Sequence, residues 1–81
     1  MREETVERTK TNISRRMKVK LFELGMTIRE LSRKSGVPAP SICSYVAMRN
    51  MMSADALAAI AEGLECSADW LLGISSEKTR K

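Results

Sequence analysis

Arg29, Arg33, Lys34 and Arg49 flank a run of small residues that includes Ala39, Pro40, Ser41 and Ser44. Guanidinium and ammonium groups offer donors and no acceptor, so their chemistry is to hold the oxygens of an anion rather than to transform it. The serine hydroxyls between them can each make one hydrogen bond of either sense. Groups for harder chemistry are missing. The chain has no histidine, no glycine-rich phosphate loop and no paired-cysteine redox motif, so an enzyme has no candidate machinery. Cys43 and Cys66 are its two cysteines. Two thiols without histidine do not make a four-ligand zinc site, and both are read as reduced small hydrophobes. No metal and no cofactor is expected.

The net charge of +4 conceals a split. Arg8 to Lys34 carries nine basic and two acidic residues, whereas Ser53 to Glu77 carries five acidic and no basic residues. One face therefore suits an anionic partner and another turns away from it. Eighty-one residues make one domain, with 43% hydrophobic and 30% charged residues, as in a folded globular chain. No run reaches the roughly 20 apolar residues of a membrane span. The N-terminus, MREETVERTK, has no apolar signal segment, so the expected location is the cytosol, in bacteria the cytosol or nucleoid.

The elements that must position these residues centre on Thr27 to Val46. Thr27 is placed to cap a helix. Glu30, three residues on, can reach back to the Thr27 amide, which makes T-I-R-E a capping box. Ile28 and Leu31 share a face, and Gly36 ends the helix in a left-handed conformation. Val37 plugs the turn. Pro38 and Pro40 are tolerable only in a first turn, and Ile42, Tyr45 and Val46 form the apolar stripe of the next helix. Two helices joined by so short a turn cross steeply, as a helix-turn-helix. The spacing predicts helices over about 28–34 and 39–46.

Around that pair, helix 1 is expected to start near Thr11 or Asn12, either of which can cap it. Its buried stripe is Ile13, Met17, Leu21 and Leu24, with Phe22 at the edge and Gly25 as terminator. Ser53 caps a helix that buries Leu57, Ile60, Ala61 and Leu64, with Gly63 in its interior. Ser67 caps a last short helix carrying Trp70, Leu71 and Ile74. Residues 1–11 are a polar extension, either a frayed helical extension or a mobile arm; 12–74 are the domain; 75–81 are a polar tail. Met48, Met51 and Met52 either pack against the fourth helix or form an adaptable surface for a partner.

The chain resembles the lambda-repressor/Cro-like class of helix-turn-helix domains, the XRE-type phage and bacterial regulators. Met26-Thr27, Leu31, Gly36-Val37, Ile42 and Tyr45 match the motif. Leu57, Ile60-Ala61, Leu64 and Ser67-Ala68-Asp69-Trp70-Leu71-Leu72 match the ending of the domain. The resemblance covers about 13–74 and implies an all-α fold of five helices. It also implies a repressor of phage or mobile-element type that binds double-stranded DNA with its second motif helix in the major groove.

Carried over position by position, the base-facing residues are Ala39, Pro40, Ser41 and Ser44. Bidentate readout of a base needs Arg, Lys, Asn or Gln, and none lies between Pro38 and Val46. This helix is therefore expected to read shape and thymine methyls, with the longer side chains at its edges, Lys34, Arg49 and Asn50, supplying more of the specificity. Phosphate contacts fall to Thr27, Ile28, Arg29, Arg33, Lys34, Arg49 and Asn50, with Arg15, Arg16 and Lys20 toward the flanks. Ile28 stands where the family places a phosphate-gripping glutamine, which leaves only its amide. Leu21 and Val46 replace a family ion pair, and Ser32 replaces a small alanine. Val46-Ala47-Met48 replaces a Glu-x-Gly ending, so the second motif helix is expected to run longer or to end differently. Trp70, Leu71 and Ile74 are candidate contacts of a homodimer, Trp70 alternatively closing the core. A second reading of the same fold is a protein-interaction module such as an antitoxin.

Overall fold

The computed structural model describes residues 2–74. The 75–81 tail lies outside the described residues. Five helices follow in order, and the described residues contain no strand: α1 Glu3–Leu24, α2 Ile28–Ser35, α3 Ala39–Val46, α4 Ala54–Gly63 and α5 Ala68–Leu72. Helices α2 and α3 lie within a residue of their expected bounds, and α4 and α5 start after the expected serine caps; Gly63 is the last residue of α4 rather than interior, and Ile74 lies beyond the end of α5. Thr27, Ser53 and Ser67 are extended, and their hydroxyl oxygens accept from Glu30, Ala56 and Trp70 amides. The capping box is complete: the Thr27 amide donates to Glu30 Oε1 at 3.0 Å and the Glu30 amide to Thr27 Oγ1 at 3.1 Å.

Helix α1 starts eight residues before the expected Thr11. The hydroxyls that looked like caps are used inside the helix. Thr9 Oγ1 donates to the Thr5 carbonyl and Thr11 Oγ1 to the Glu7 carbonyl, each at 2.9 Å. Glu3 and Glu4 sit in the first turn, where they complement the helix dipole. The extension is thus continuous with the helix that opens the core.

One core joins all five helices. Met17, Leu31, Ile42, Ile60, Leu64, Cys66 and Leu71 are fully buried, with Ile13, Met52, Ala56, Ala61 and Trp70 around them. Leu21, Ile28, Val37, Tyr45, Val46 and Leu57 close its edge. Gly63 lets α4 approach α2: a Cβ there would stand 3.0 Å from Leu31 Cδ1. The methionines divide, Met52 being buried and Met48 and Met51 exposed. Cys66 is buried as read, whereas Cys43 is exposed.

Other expectations are corrected by the packing. Leu24, expected in the buried stripe, is exposed at the last turn of α1, and Phe22 does not edge that stripe. Phe22 points the opposite way from Met17 and is 88% exposed. Trp70 and Leu71, candidate dimer contacts, are in the core and offer no surface; of that trio only Ile74 is exposed. Of the two alternatives for α3, the helix ends differently rather than running longer. It stops at Val46, and Met48 adopts the left-handed conformation with φ 62°.

Candidate nucleic-acid interface

Buried Ile42 sets the orientation of α3. With Ile42 inward and Tyr45 and Val46 at the core's edge, the outward ridge is Pro40, Cys43, Ser44 and Ala47, spaced i, i+3, i+4, i+7. Pro40, Cys43 and Ala47 are exposed and Ser44 is half-buried. Ala39 and Ser41 sit lower, half-buried on the two flanks. The ridge ends in a fixed way. The Met48 amide donates to the Tyr45 carbonyl at 3.1 Å and the Arg49 amide to the Ser44 carbonyl at 2.9 Å. Those two bonds turn the chain sharply at Met48. Behind the ridge, Ser14 Oγ on α1 donates to the Val46 carbonyl at 2.6 Å, so the last turn of α3 is tied to α1.

The turn brings Asn50 back beside the helix. Pro40, Ser41 and Ser44 share one shallow groove with Tyr45, Asn50, Met51 and Ser53. Three of the four residues expected to face bases are therefore gathered with Asn50, whose carboxamide can donate and accept in the bidentate geometry that the helix itself lacks. Arg49 is exposed at the same turn. Sequence reasoning missed Tyr45, taken only as core, and Cys43 and Ala47, which the carried-over positions skip. The inward Ile42 was the signal that would have found the last two, since it fixes the opposite face.

At the start of α2 the capping box alters what a phosphate would meet. The Thr27 amide is already bonded to the Glu30 carboxylate, and that bond holds the Glu30 carboxyl below its usual range. Helix geometry leaves the next amides, of Ile28 and Arg29, without intrahelical acceptors. The Ile28 side chain packs on the core, while Arg29 and Arg33 are exposed. Lys34 is turned elsewhere. Its Nζ lies 2.8 Å from Glu65 Oε2 at the end of α4, and this contact holds the Glu65 carboxyl below its usual range. Among the flanking cations, Arg16 is committed to the fold: its Nη1 donates to the Trp70 carbonyl at 2.5 Å and its guanidinium lies 5.0 Å from the centre of the Trp70 ring. Lys20 lies 3.5 Å from Glu23, and Arg15 is exposed.

A capped helix, a tight turn and a second helix whose outer ridge is bare of core contacts define a helix-turn-helix DNA-binding domain of lambda-repressor-like form. The family model for the helix-turn-helix matches residues 16–71, and the chain belongs to that family. It is accordingly a DNA-binding helix-turn-helix regulator. No curated protein and no solved structure matches it. No helix among the described residues is long and apolar enough to cross a membrane.

Proposed function

We propose that the chain is a sequence-specific regulator of double-stranded DNA, of the phage or mobile-element repressor kind, acting by occluding the site it covers. The observation that carries this reading is the groove that joins Pro40, Ser41 and Ser44 to Asn50. Helix α3 lies in the major groove. Pro40 and Ala39 meet thymine methyls, Ser41 and Ser44 add single hydrogen bonds, and Asn50 supplies the one bidentate contact. Arg29, Arg33 and Arg49 hold phosphates together with the Ile28 and Arg29 amides, and they carry most of the affinity. Lys34 joins them by leaving Glu65, which an exposed ion pair permits at little cost.

Fluorescence anisotropy with random-sequence duplex over a salt series, followed by selection from the same pool, tests the proposal. Binding that weakens steeply with salt and enriches one sequence supports it. Binding without enrichment leaves only a basic surface, and no binding at low salt sinks the reading. Within the enriched site, Asn50→Ala should relax preference at one base position, with a cost of about 1–3 kcal/mol.

A second reading has one observation in its favour. Met48 and Met51 are both exposed in the α3–α4 connection, and exposed methionines are adaptable apolar groups of the kind a protein partner uses. A toxin-like partner would make the chain an antitoxin. Loss of that complex on Met48→Lys, whose side chain lies outside the groove of Pro40, Ser41 and Ser44, with DNA binding intact, would separate the two.

A further inference from the structure

The outward ridge of α3 is defined as much by what it lacks as by what it carries. Between Pro38 and Val46 there is no charged residue and no carboxamide. The groups that stand farthest out are the Pro40 ring, the Cys43 thiol and the Ala47 methyl, all exposed, with the Ser44 hydroxyl half-buried among them. The ring and the methyl are apolar. The thiol is a weak donor and a weak acceptor, and the hydroxyl takes either part. No group on the ridge therefore fixes the sense of a hydrogen bond. From Pro40 to Ala47 the helix advances about 10 Å, the length of about three base steps.

We infer that this ridge selects the C5-methyl group of major-groove pyrimidines as such, so that 5-methylcytosine serves it in place of thymine and unmethylated pyrimidines do not. The inference rests on the reading of α3 as the helix that enters the major groove, and it names the class of DNA that α3 takes. Reach and sense both favour it. Side chains this short span little of the space between a helix and the base edges. Helix α3 is also held in its place in the domain, because Ile42 is fully buried and Ser14 Oγ donates to the Val46 carbonyl at 2.6 Å. Apolar contact with the ridge must then come from the DNA side, where the C5-methyl is the apolar projection of a base edge in the major groove. Thymine and 5-methylcytosine both carry it. They differ at C4, where thymine presents an acceptor and cytosine a donor, and a ridge without a fixed hydrogen-bonding sense does not register that difference. In the same reading Asn50, beside the ridge, keeps the one position at which the base itself is read.

Selection from four pools of random-sequence duplex tests it, the pools made with thymine or uracil and with cytosine or 5-methylcytosine, and anisotropy gives the affinity of each enriched site. Uracil keeps the pairing and the C4 acceptor of thymine and removes only the methyl. From the thymine–cytosine pool one sequence should be enriched. Its uracil counterpart should bind about tenfold or more weakly, since each lost methyl contact costs about fourfold and the ridge reaches more than one base position. In the uracil–5-methylcytosine pool, 5-methylcytosine·guanine should stand where thymine·adenine stood, away from the position that Asn50→Ala relaxes, with affinity within about threefold of the original.

Cys43→Ser, a change at an exposed position, should leave the circular dichroism unchanged and lower the thymine-over-uracil ratio at one base position, which a purely structural role would not do. An unchanged ratio at every position overturns the assignment to the ridge. An enriched thymine site that binds equally well with uracil overturns the inference and leaves the DNA-binding reading standing; so does a 5-methylcytosine site no better than its unmethylated form. A thymine pool from which nothing is enriched removes the reading beneath the inference, and the inference with it.

Discussion

Four helices of this molecule end on the same two hydrogen bonds, and two of them do so with the wrong kind of residue. At α1 the Gly25 amide donates to Phe22 and the Met26 amide to Leu21; at α5 the Gly73 amide donates to Trp70 and the Ile74 amide to Asp69. At α3 the same pair runs through Met48 and Arg49, and at α4 the Glu65 amide donates to Glu62 and the Cys66 amide to Ala61. The pivot residue has positive φ in every case: 61° at Gly25 and 87° at Gly73, but also 62° at Met48 and 58° at Glu65. A side chain there opposes the conformation by about 1–2 kcal/mol. The glycine ends belong to the α1–α5 half of the fold. The ends that carry side chains border α3 and α2, and each side chain is occupied. Met48 Sδ packs 3.7 Å from Thr11 Oγ1, and Glu65 holds Lys34. Backbone strain in this protein is concentrated next to the DNA-facing half, where the side chain has a task.

Breaking the glycine side of the contrast should have the largest effect. Gly73→Ala combines positive φ with a Cβ that would overlap the Asn12 carboxamide. It should cost about 2 kcal/mol or more in urea unfolding. Gly25→Ala meets open space and should cost only the backbone penalty, about 1 kcal/mol. The mirror change, Met48→Gly, should raise stability by about 1 kcal/mol in the same assay, which would make a substitution to glycine stabilising inside a binding region. An unchanged or lowered midpoint would mean that the Thr11 contact outweighs the strain.

Glu65→Gly sharpens the comparison at α4. It relieves strain and releases Lys34, so the melting temperature should rise by less than in Met48→Gly, and nonspecific DNA affinity should rise with a steeper salt slope. The smallest effect is set by an N-terminal end. Glu30 has its carboxyl lowered, first by the Thr27 backbone bond and then by the Thr27 side chain. A lowered carboxyl contributes stability above its unfolded value of about 4.3, and the contribution disappears as pH falls through the lower folded value. Melting curves from pH 7 to 3 should show part of the wild-type acid loss, and Glu30→Gln, which keeps a capping amide, should show less of it.

The same contrast marks what was legible in the residues. Capping oxygens and apolar periodicity are local, so Thr27, Ser53 and Ser67 marked three helix starts and Gly25 and Gly36 two ends. The end of α3 was not legible, because its glycine is replaced and the turn is held by backbone bonds that any residue can make. The start of α1 was misplaced for a related reason: threonine can cap a helix or bond back inside one, and only the presence of further helix-forming residues upstream decides. Phe22 was assigned to the stripe by type, although its position on the wheel opposes Met17. In the candidate site, the register of α3 was legible from Ile42. The return of Asn50 to Ser41 and Ser44, and the loan of Lys34 to Glu65, depend on contacts across 31 residues or on a turn without a sequence mark.

The burial of Trp70 has a spectroscopic consequence. The chain has one tryptophan and one tyrosine, and the fold assigns them to different jobs. Trp70 lies under the Arg16 guanidinium at the α1–α5 seam, so its emission should be blue-shifted in the native state and should move to the red only when that seam opens. Tyr45 lines the groove beside Ser41 and Ser44, where a stacked or hydrogen-bonded duplex would quench it. Excitation at two wavelengths therefore separates unfolding from DNA occupancy in the unlabelled protein, with an optical reporter already built into each half.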